Sequence, residues 1–155
     1  MTNDEILALM KEKGKSDALN LRARAKDLDG TALIAEESKV PRFDPEKDYS
    51  GWAVGSPVFE EIGGERQVFT LITPHNAAHY PGSTPSNTRA LWSLKHTKDT
   101  AKAKPWVAPL GTSGMYMTDE VCKSDSKIWR SKRDNNPYEP GATGTESFWE
   151  EVTIS

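Results

Sequence analysis

Glu120-Val121-Cys122-Lys123-Ser124-Asp125-Ser126-Lys127-Ile128-Trp129-Arg130-Ser131 is the stretch that decides the fold. Two short apolar runs, Glu120–Cys122 and Lys127–Ser131, flank a polar turn at Lys123–Ser126, which is the pattern of a β-hairpin. The same punctuation occurs upstream, where Pro57-Val58-Phe59 and Gln67–Thr73 flank the turn Glu60–Arg66. All ten prolines lie at or after Pro41, and twelve of the thirteen aromatic residues lie after Phe43. Residues 1–40 contain neither class, so a boundary falls near Val40-Pro41.

Before that boundary the chain reads as helix. Thr2-Asn3-Asp4-Glu5 fits a capping box, with a hydroxyl at the cap and a carboxylate three residues on. Ile6, Leu9 and Met10 follow at helical spacing. Gly14 interrupts, and Lys15-Ser16-Asp17 reads as a restart, with Leu19, Ala23 and Leu28 as a weak apolar face. Ala32–Ala35 adds a further turn. The stripe is too broken for a long coiled coil. Residues 1–40 are therefore expected to be a helical docking or oligomerisation segment, the alternative being a solvated appendage packed on the rest.

The chain has 155 residues, of which 35% are hydrophobic and 28% charged. A mean hydropathy of -0.68 agrees that it is poor in core-forming side chains. Small cores and self-association fit such a composition better than one large core. The net charge of -3 argues against an electrostatic nucleic-acid partner. The charged start, MTNDEILALMKEKGK, does not read as a signal peptide, and no apolar run is long enough for membrane insertion. Synthesis in the cytoplasm is expected. Cys122 is the only cysteine, so no intrachain disulfide forms, and on its strand it reads as a small buried residue. His75 and His79 have H-x3-H spacing without an evident third ligand, so neither a metal nor a cofactor is expected. Motifs for a zinc protease, a serine hydrolase or a phosphate loop are missing, and no enzyme activity is expected.

Two segments share one order of events. The first runs through Trp52, Gly55-Ser56-Pro57-Val58, the hairpin, a loop with Asn76, His79 and Tyr80, and a closing Trp92. The second runs through Trp106, Tyr116, Asp119-Glu120-Val121, the hairpin, the loop Asp134-Asn135-Asn136-Pro137-Tyr138-Glu139-Pro140-Gly141, and a closing Trp149. This pattern resembles the small chitin-binding carbohydrate-binding modules of families five and twelve, in the tandem form found in phage and prophage structural proteins. The resemblance covers about 105 of the 155 residues. Departures are the missing turn glycine before Asp119, and Tyr138 and Tyr80 where tryptophan is commoner.

The expected fold is mainly β with an N-terminal α segment. Two small three-stranded antiparallel modules, residues 41–95 and 105–155, are joined by a polar linker at 96–104. The opening and closing aromatics, Trp106, Tyr116 and Trp149 with Trp52 and Trp92, read as core together with Val58 and Val121. Sugar rings stack on flat apolar faces with amides nearby, so Tyr138 beside Asn135 and Asn136 reads as the best glycan contact. Tyr80 is its counterpart in the first unit. Trp129 is taken as a further glycan contact: Trp129 and Phe69 lie on hairpin strands beside an apolar neighbour, so one residue of each pair is expected to face outward.

The resemblance implies a non-catalytic phage virion accessory protein, a head fibre or tail appendage located in the virion. Its implied partners are other virion structural proteins, further copies of itself and host cell-surface glycan. The alternative is a virion assembly or spacer protein that binds no sugar.

Overall fold

The computed structural model describes residues 2–153. Thr2 caps α1 (Asn3–Arg24), its hydroxyl accepting the Glu5 N–H at 3.1 Å. The helix runs unbroken through Gly14, where the sequence suggested a restart. An interior glycine lowers helix stability by about 1 kcal/mol but does not by itself end a helix. A Lys13–Asp17 pair at 3.2 Å bridges that turn. Leu21 and Ala25 are buried, with Leu28 packed against them, whereas Leu19 and Ala23 are exposed. The buried face therefore lies two residues from the one read in sequence. Asp29 caps α2 (Gly30–Ala35) by accepting the Ala32 N–H at 2.8 Å, and Leu33 and Ile34 point inward.

Two small sheets follow the helical region, as expected, and helix and strand take roughly equal shares of the chain. The first sheet is antiparallel, with β1 (Pro57–Ile62), β2 (Glu65–Leu71) and β3 (Trp92–Leu94) in that order. The second contains β4 (Lys104–Pro105), β5 (Val121–Ser124), β6 (Lys127–Ser131) and β7 (Trp149–Val152). It has four strands where three were expected. The extra strand, β4, is two residues long and runs parallel to β5, pairing Lys104 with Cys122. It covers an edge that β5 would otherwise expose. Both hairpins are tighter than read. Ile62 pairs with Glu65 across Gly63-Gly64, and Ser124 pairs with Lys127 across Asp125-Ser126. Asp125 and Ser126 take φ of 52° and 62°, the twist that suits a two-residue turn between antiparallel strands.

The first sheet is covered on both faces. Because side chains alternate along a strand, Phe59 and Val68 point one way, into a core with Leu21, Ala25, Leu33, Ile34 and Val40. Val58, Phe69, Leu71 and Trp92 point the other way, onto Tyr49. The expectation that one residue of the Val68/Phe69 pair faces outward fails, since the helices bury the second face. Residues 17–40 are thus part of the first module's core, and the exposed residues 2–16 extend beyond it.

The stretch read as a linker is packed. His96 and Thr97 are buried. Thr97 bridges to Val121, and the His96 ring stacks on Tyr116 at 3.6 Å. Gly30 approaches His96 so closely that a Cβ there would lie 2.1 Å from the His96 carbonyl oxygen. Lys98 N–H donates to Thr31 Oγ1 at 2.9 Å, Gln67 donates to the Pro105 carbonyl at 2.9 Å, and Lys104 pairs with Glu37. Among the described residues no helix is long and apolar enough to cross a membrane.

Candidate functional site

The two sheets carry one architecture twice. The Tyr49 and Tyr116 rings each meet the closing tryptophan edge-on, Trp92 and Trp149, at 5.2 Å in both cases. Each phenol oxygen accepts a backbone N–H, from Asp44 at 2.9 Å and from Val107 at 3.4 Å. Tyr49 therefore fills the place that sequence spacing assigned to Trp52, which is only half-buried. Gly55 N–H donates to Leu71, and Asp119 N–H donates to Ser131, both at 2.8 Å. Gly55 has φ 95° and Asp119 has φ 74°. Asp119 thus stands at the turn position itself, and the missing glycine is replaced rather than deleted.

Superposing these hydrogen bonds matches Phe69 to Trp129, and here the copies diverge. Phe69 is fully buried beneath Tyr49 and Trp92. Trp129 is half-buried, packed inward on Tyr116, Cys122 and Trp149 with part of its indole open. Its Nε1 donates to the Ser124 carbonyl at 3.2 Å, which fixes the ring plane. The backbone at Gly141, held at φ 82°, comes to the ring edge: a Cβ there would meet Trp129 Cζ2 at 3.6 Å. A cleft of about 260 Å³ opens between them, lined by Trp129, Trp149, Gly141, Ala142, Thr145 and Glu146. Thr145 Oγ1 donates to the Ala142 carbonyl at 2.7 Å, so its lone pairs remain to accept. The Glu146 carboxylate stands exposed at the rim.

The residues expected as glycan contacts separate into different roles. Tyr138 is 47% exposed, and its ring packs edge-on against Phe148 at 4.7 Å. Arg133 lies over the Phe148 ring at 4.5 Å. Tyr138 is not in the lining of the Trp129 cleft, although its carbonyl accepts the Trp149 indole N–H at 2.8 Å. Asn135 is exposed at φ 54°, and its N–H points at Met117 Sδ. Asn136 must be corrected: its side chain is fully buried and cannot meet a ligand. Its amide donates to Ser131 Oγ at 3.1 Å and to the Phe148 carbonyl at 3.0 Å, while its oxygen accepts the Tyr138 N–H at 3.2 Å. It ties the loop to the sheet.

On the first module Tyr80 is 48% exposed and meets His75 edge-on at 5.7 Å. His75 Nδ1 bonds the Thr73 carbonyl at 2.7 Å, and its ring packs on Trp92, so the first histidine of the H-x3-H pair is a structural one, while His79 is exposed. Among the described residues no group of three or more His, Cys, Asp or Glu side chains is placed to hold a metal ion. Cys122 is fully buried, and burial pushes its thiol far above the ordinary range, so it is unsuited to nucleophilic work. Burial also raises the Glu120 carboxyl, although the Met117 N–H bond opposes it. The residues of the cleft that sequence reading missed are Gly141, Thr145 and Glu146. Their signal was the pair Gly141 and Gly144, both at positive φ, folding the loop back beneath Trp129. Compared with protein-family models and with curated proteins, the chain matches none.

Proposed function

We propose that this chain is a non-catalytic phage virion accessory protein whose second β module binds host surface glycan in the cleft beside Trp129. The virion setting rests on the resemblance of the two units to tandem phage modules. The site rests on one observation, an indole left half-open next to a backbone that glycine brings to its edge. A pyranose ring offers C–H groups to such a face, and Thr145 and Glu146 supply acceptors for its hydroxyls. Tyr138, exposed one loop away, extends the surface for a longer chain, and Tyr80 gives the first module a separate, weaker contact. A single site of this size fits millimolar affinity, about −4 kcal/mol, which many copies on one particle raise by avidity.

The test is titration of the full chain with N-acetylglucosamine oligomers and with host wall fragments, followed by tryptophan fluorescence and NMR shifts. Trp129→Ala abolishes the response while the Trp149–Tyr116 pair keeps the fold. Tyr138→Ala weakens it several-fold, and Tyr80→Ala weakens it less. An unchanged response in Trp129→Ala removes the cleft from the site. No response to any glycan favours the spacer reading, in which the modules only join virion parts.

A further inference from the structure

The Trp129 cleft has no side-chain hydrogen left to donate. The Trp129 indole N–H goes to the Ser124 carbonyl at 3.2 Å, and the Trp149 indole N–H goes to the Tyr138 carbonyl at 2.8 Å. The Thr145 hydroxyl gives its proton to the Ala142 carbonyl at 2.7 Å. Gly141, Ala142 and Glu146 complete the lining, and none of their side chains is a donor while Glu146 is ionised. A ligand therefore meets an indole, the lone pairs of Thr145 Oγ1 and a carboxylate. Gly144 N–H donates to Glu146 Oε1 at 3.4 Å, and Oε2 has no partner among the described residues.

No basic side chain lines the cleft, and most of those on this module already face a carboxylate. Lys123 pairs with Glu65 at 2.6 Å, Arg130 with Glu150 at 3.2 Å and Lys127 with Glu151 at 3.7 Å. Arg133 lies over Phe148, and Lys132 lines a different hollow beside Arg130 and Lys98. Among the described residues none of these cations pairs with Glu146. Lys127 Nζ does stand 5.9 Å from the centre of the Trp129 ring, so this indole is already the acceptor of one ammonium charge.

A ligand suited to this set brings both a positive charge and hydrogens to donate. An ammonium group on a sugar ring does so, since it donates to acceptors and is drawn to the face of an indole. The same nitrogen carrying an acetyl group has no charge, and its carbonyl needs a donor that no side chain of the cleft supplies. We infer that the cleft selects an amino sugar with a free ammonium group. Glu146 holds the ammonium, Trp129 takes the ring C–H groups, and a sugar hydroxyl donates to Thr145 Oγ1. A lysine side chain offers the charge but no hydroxyl, and leaves Thr145 unused. The inference rests on the glycan reading above and names the class of sugar within it.

Titration of the full chain with size-matched oligomers of glucosamine, N-acetylglucosamine and glucose tests the inference, in mildly acidic buffer that keeps the amine protonated. The glucosamine oligomer binds about five- to tenfold tighter than the other two, as one exposed ion pair and one cation–π contact together supply. Glu146→Gln lowers that ratio to about twofold, because glutamine keeps the shape and loses the charge, leaving the indole contact alone. Glu12→Gln removes a carboxylate from α1 and leaves the ratio unchanged, which separates a local charge from the net charge of -3. Trp129→Ala loses all three oligomers. N-acetylated or neutral oligomers that bind as tightly as the glucosamine oligomer overturn the inference and leave the glycan site standing. A ratio that Glu146→Gln does not lower, or that Glu12→Gln lowers as much, overturns it equally. A lysine oligomer that binds tighter than the glucosamine oligomer, and is lost in Trp129→Ala, replaces the sugar by a basic protein segment. Silence from every oligomer removes the glycan reading and this inference together.

Discussion

Acid should loosen this protein through His96 before it protonates most carboxylates. The ring is buried, stacked on Tyr116 at 3.6 Å, with Nε2 donating to the Gly114 carbonyl at 2.9 Å. Burial dominates and lowers its pKa from 6.5 to about 4, and the positive charges of Arg89 and Lys95 push the same way. The folded state therefore holds a neutral ring where the unfolded chain binds a proton. Stability is independent of this group above the unfolded pKa and falls as pH drops from about 6.5 to about 4. Between pH 7.5 and 4.5 the loss works out at about 2.5 kcal/mol. In a chain of this length that lowers the melting temperature by about 5–10 °C. Urea unfolding of the parent chain and of His96→Gln, across this range, isolates the term. Glutamine can still donate to Gly114 but does not titrate. The raised Glu120 carboxyl acts in the opposite direction and is common to both chains. Glu36, whose hydrogen bonds to Arg24 and Lys39 lower it to about 2, contributes stability that is lost only below about pH 4.5. The variant should therefore lose about 2.5 kcal/mol less than the parent over the range. Equal slopes in the two chains, or an NMR titration of His96 near its ordinary value, would refute the reasoning.

Asp119→Gly should stabilise the protein by about 0.5–1 kcal/mol, because an aspartate now holds the left-handed turn that Gly55 holds in the other copy. Chemical denaturation checks this, and a lower midpoint would mean that the aspartate makes a compensating contact. Asn136→Ala should destabilise by about 2–3 kcal/mol, since it removes three hydrogen bonds of a buried amide and leaves the Tyr138 N–H without its partner, while Ser131 Oγ keeps the Arg133 carbonyl and the Phe148 carbonyl keeps the Lys132 N–H. Amide hydrogen exchange should show the loop at Tyr138–Gly144 opening first. A variant that melts like the parent would return Asn136 to the list of surface contacts.

Much of the fold was legible because the relevant signals are local. The Thr2 cap, both hairpins, the closing tryptophans and the change of texture at Pro41 each depend on neighbours in sequence. What failed depends on distant packing. Leu19 and Leu21 are both leucines on one helix, and only the position of β1 and β2 decides that Leu21 is buried. The polar composition of His96–Lys104 suggested a linker, yet a histidine can be buried neutral when a carbonyl accepts its ring N–H and an aromatic ring covers it. Trp52 was matched to Tyr116 in place of Tyr49 because three extra residues, absent after Tyr116, separate Tyr49 from the turn at Gly55. In the site, Tyr138 and Trp129 were found by residue type. Burial of Asn136 was invisible, since an exposed loop amide and a buried loop strut have the same sequence.

The two copies diverge on both faces of their sheets, and for different reasons. A small sheet has two faces, and a duplicated unit begins with the same face uncovered in each copy. In the first copy α1 and α2 fill that face, so Phe59 and Val68 become core. Gly30 brings α2 against His96, which makes the first module the hub on which the second is mounted. Among its described residues the second copy has no helices of its own, and Ile128 and Arg130 remain half-exposed on its outer face. Its inner face is closed only as far as Trp129, where the Gly141 loop stops short and leaves a cleft. A ring at that place in the first copy has no such freedom: Phe69 lies under Tyr49 and Trp92, and Arg89 stands over it at 5.8 Å. The second copy leaves part of the Trp129 indole open, which is the surface proposed above for a sugar ring. On this argument a glycan titration should perturb resonances of the Trp129–Trp149 cleft and leave Phe69 and its neighbours unmoved.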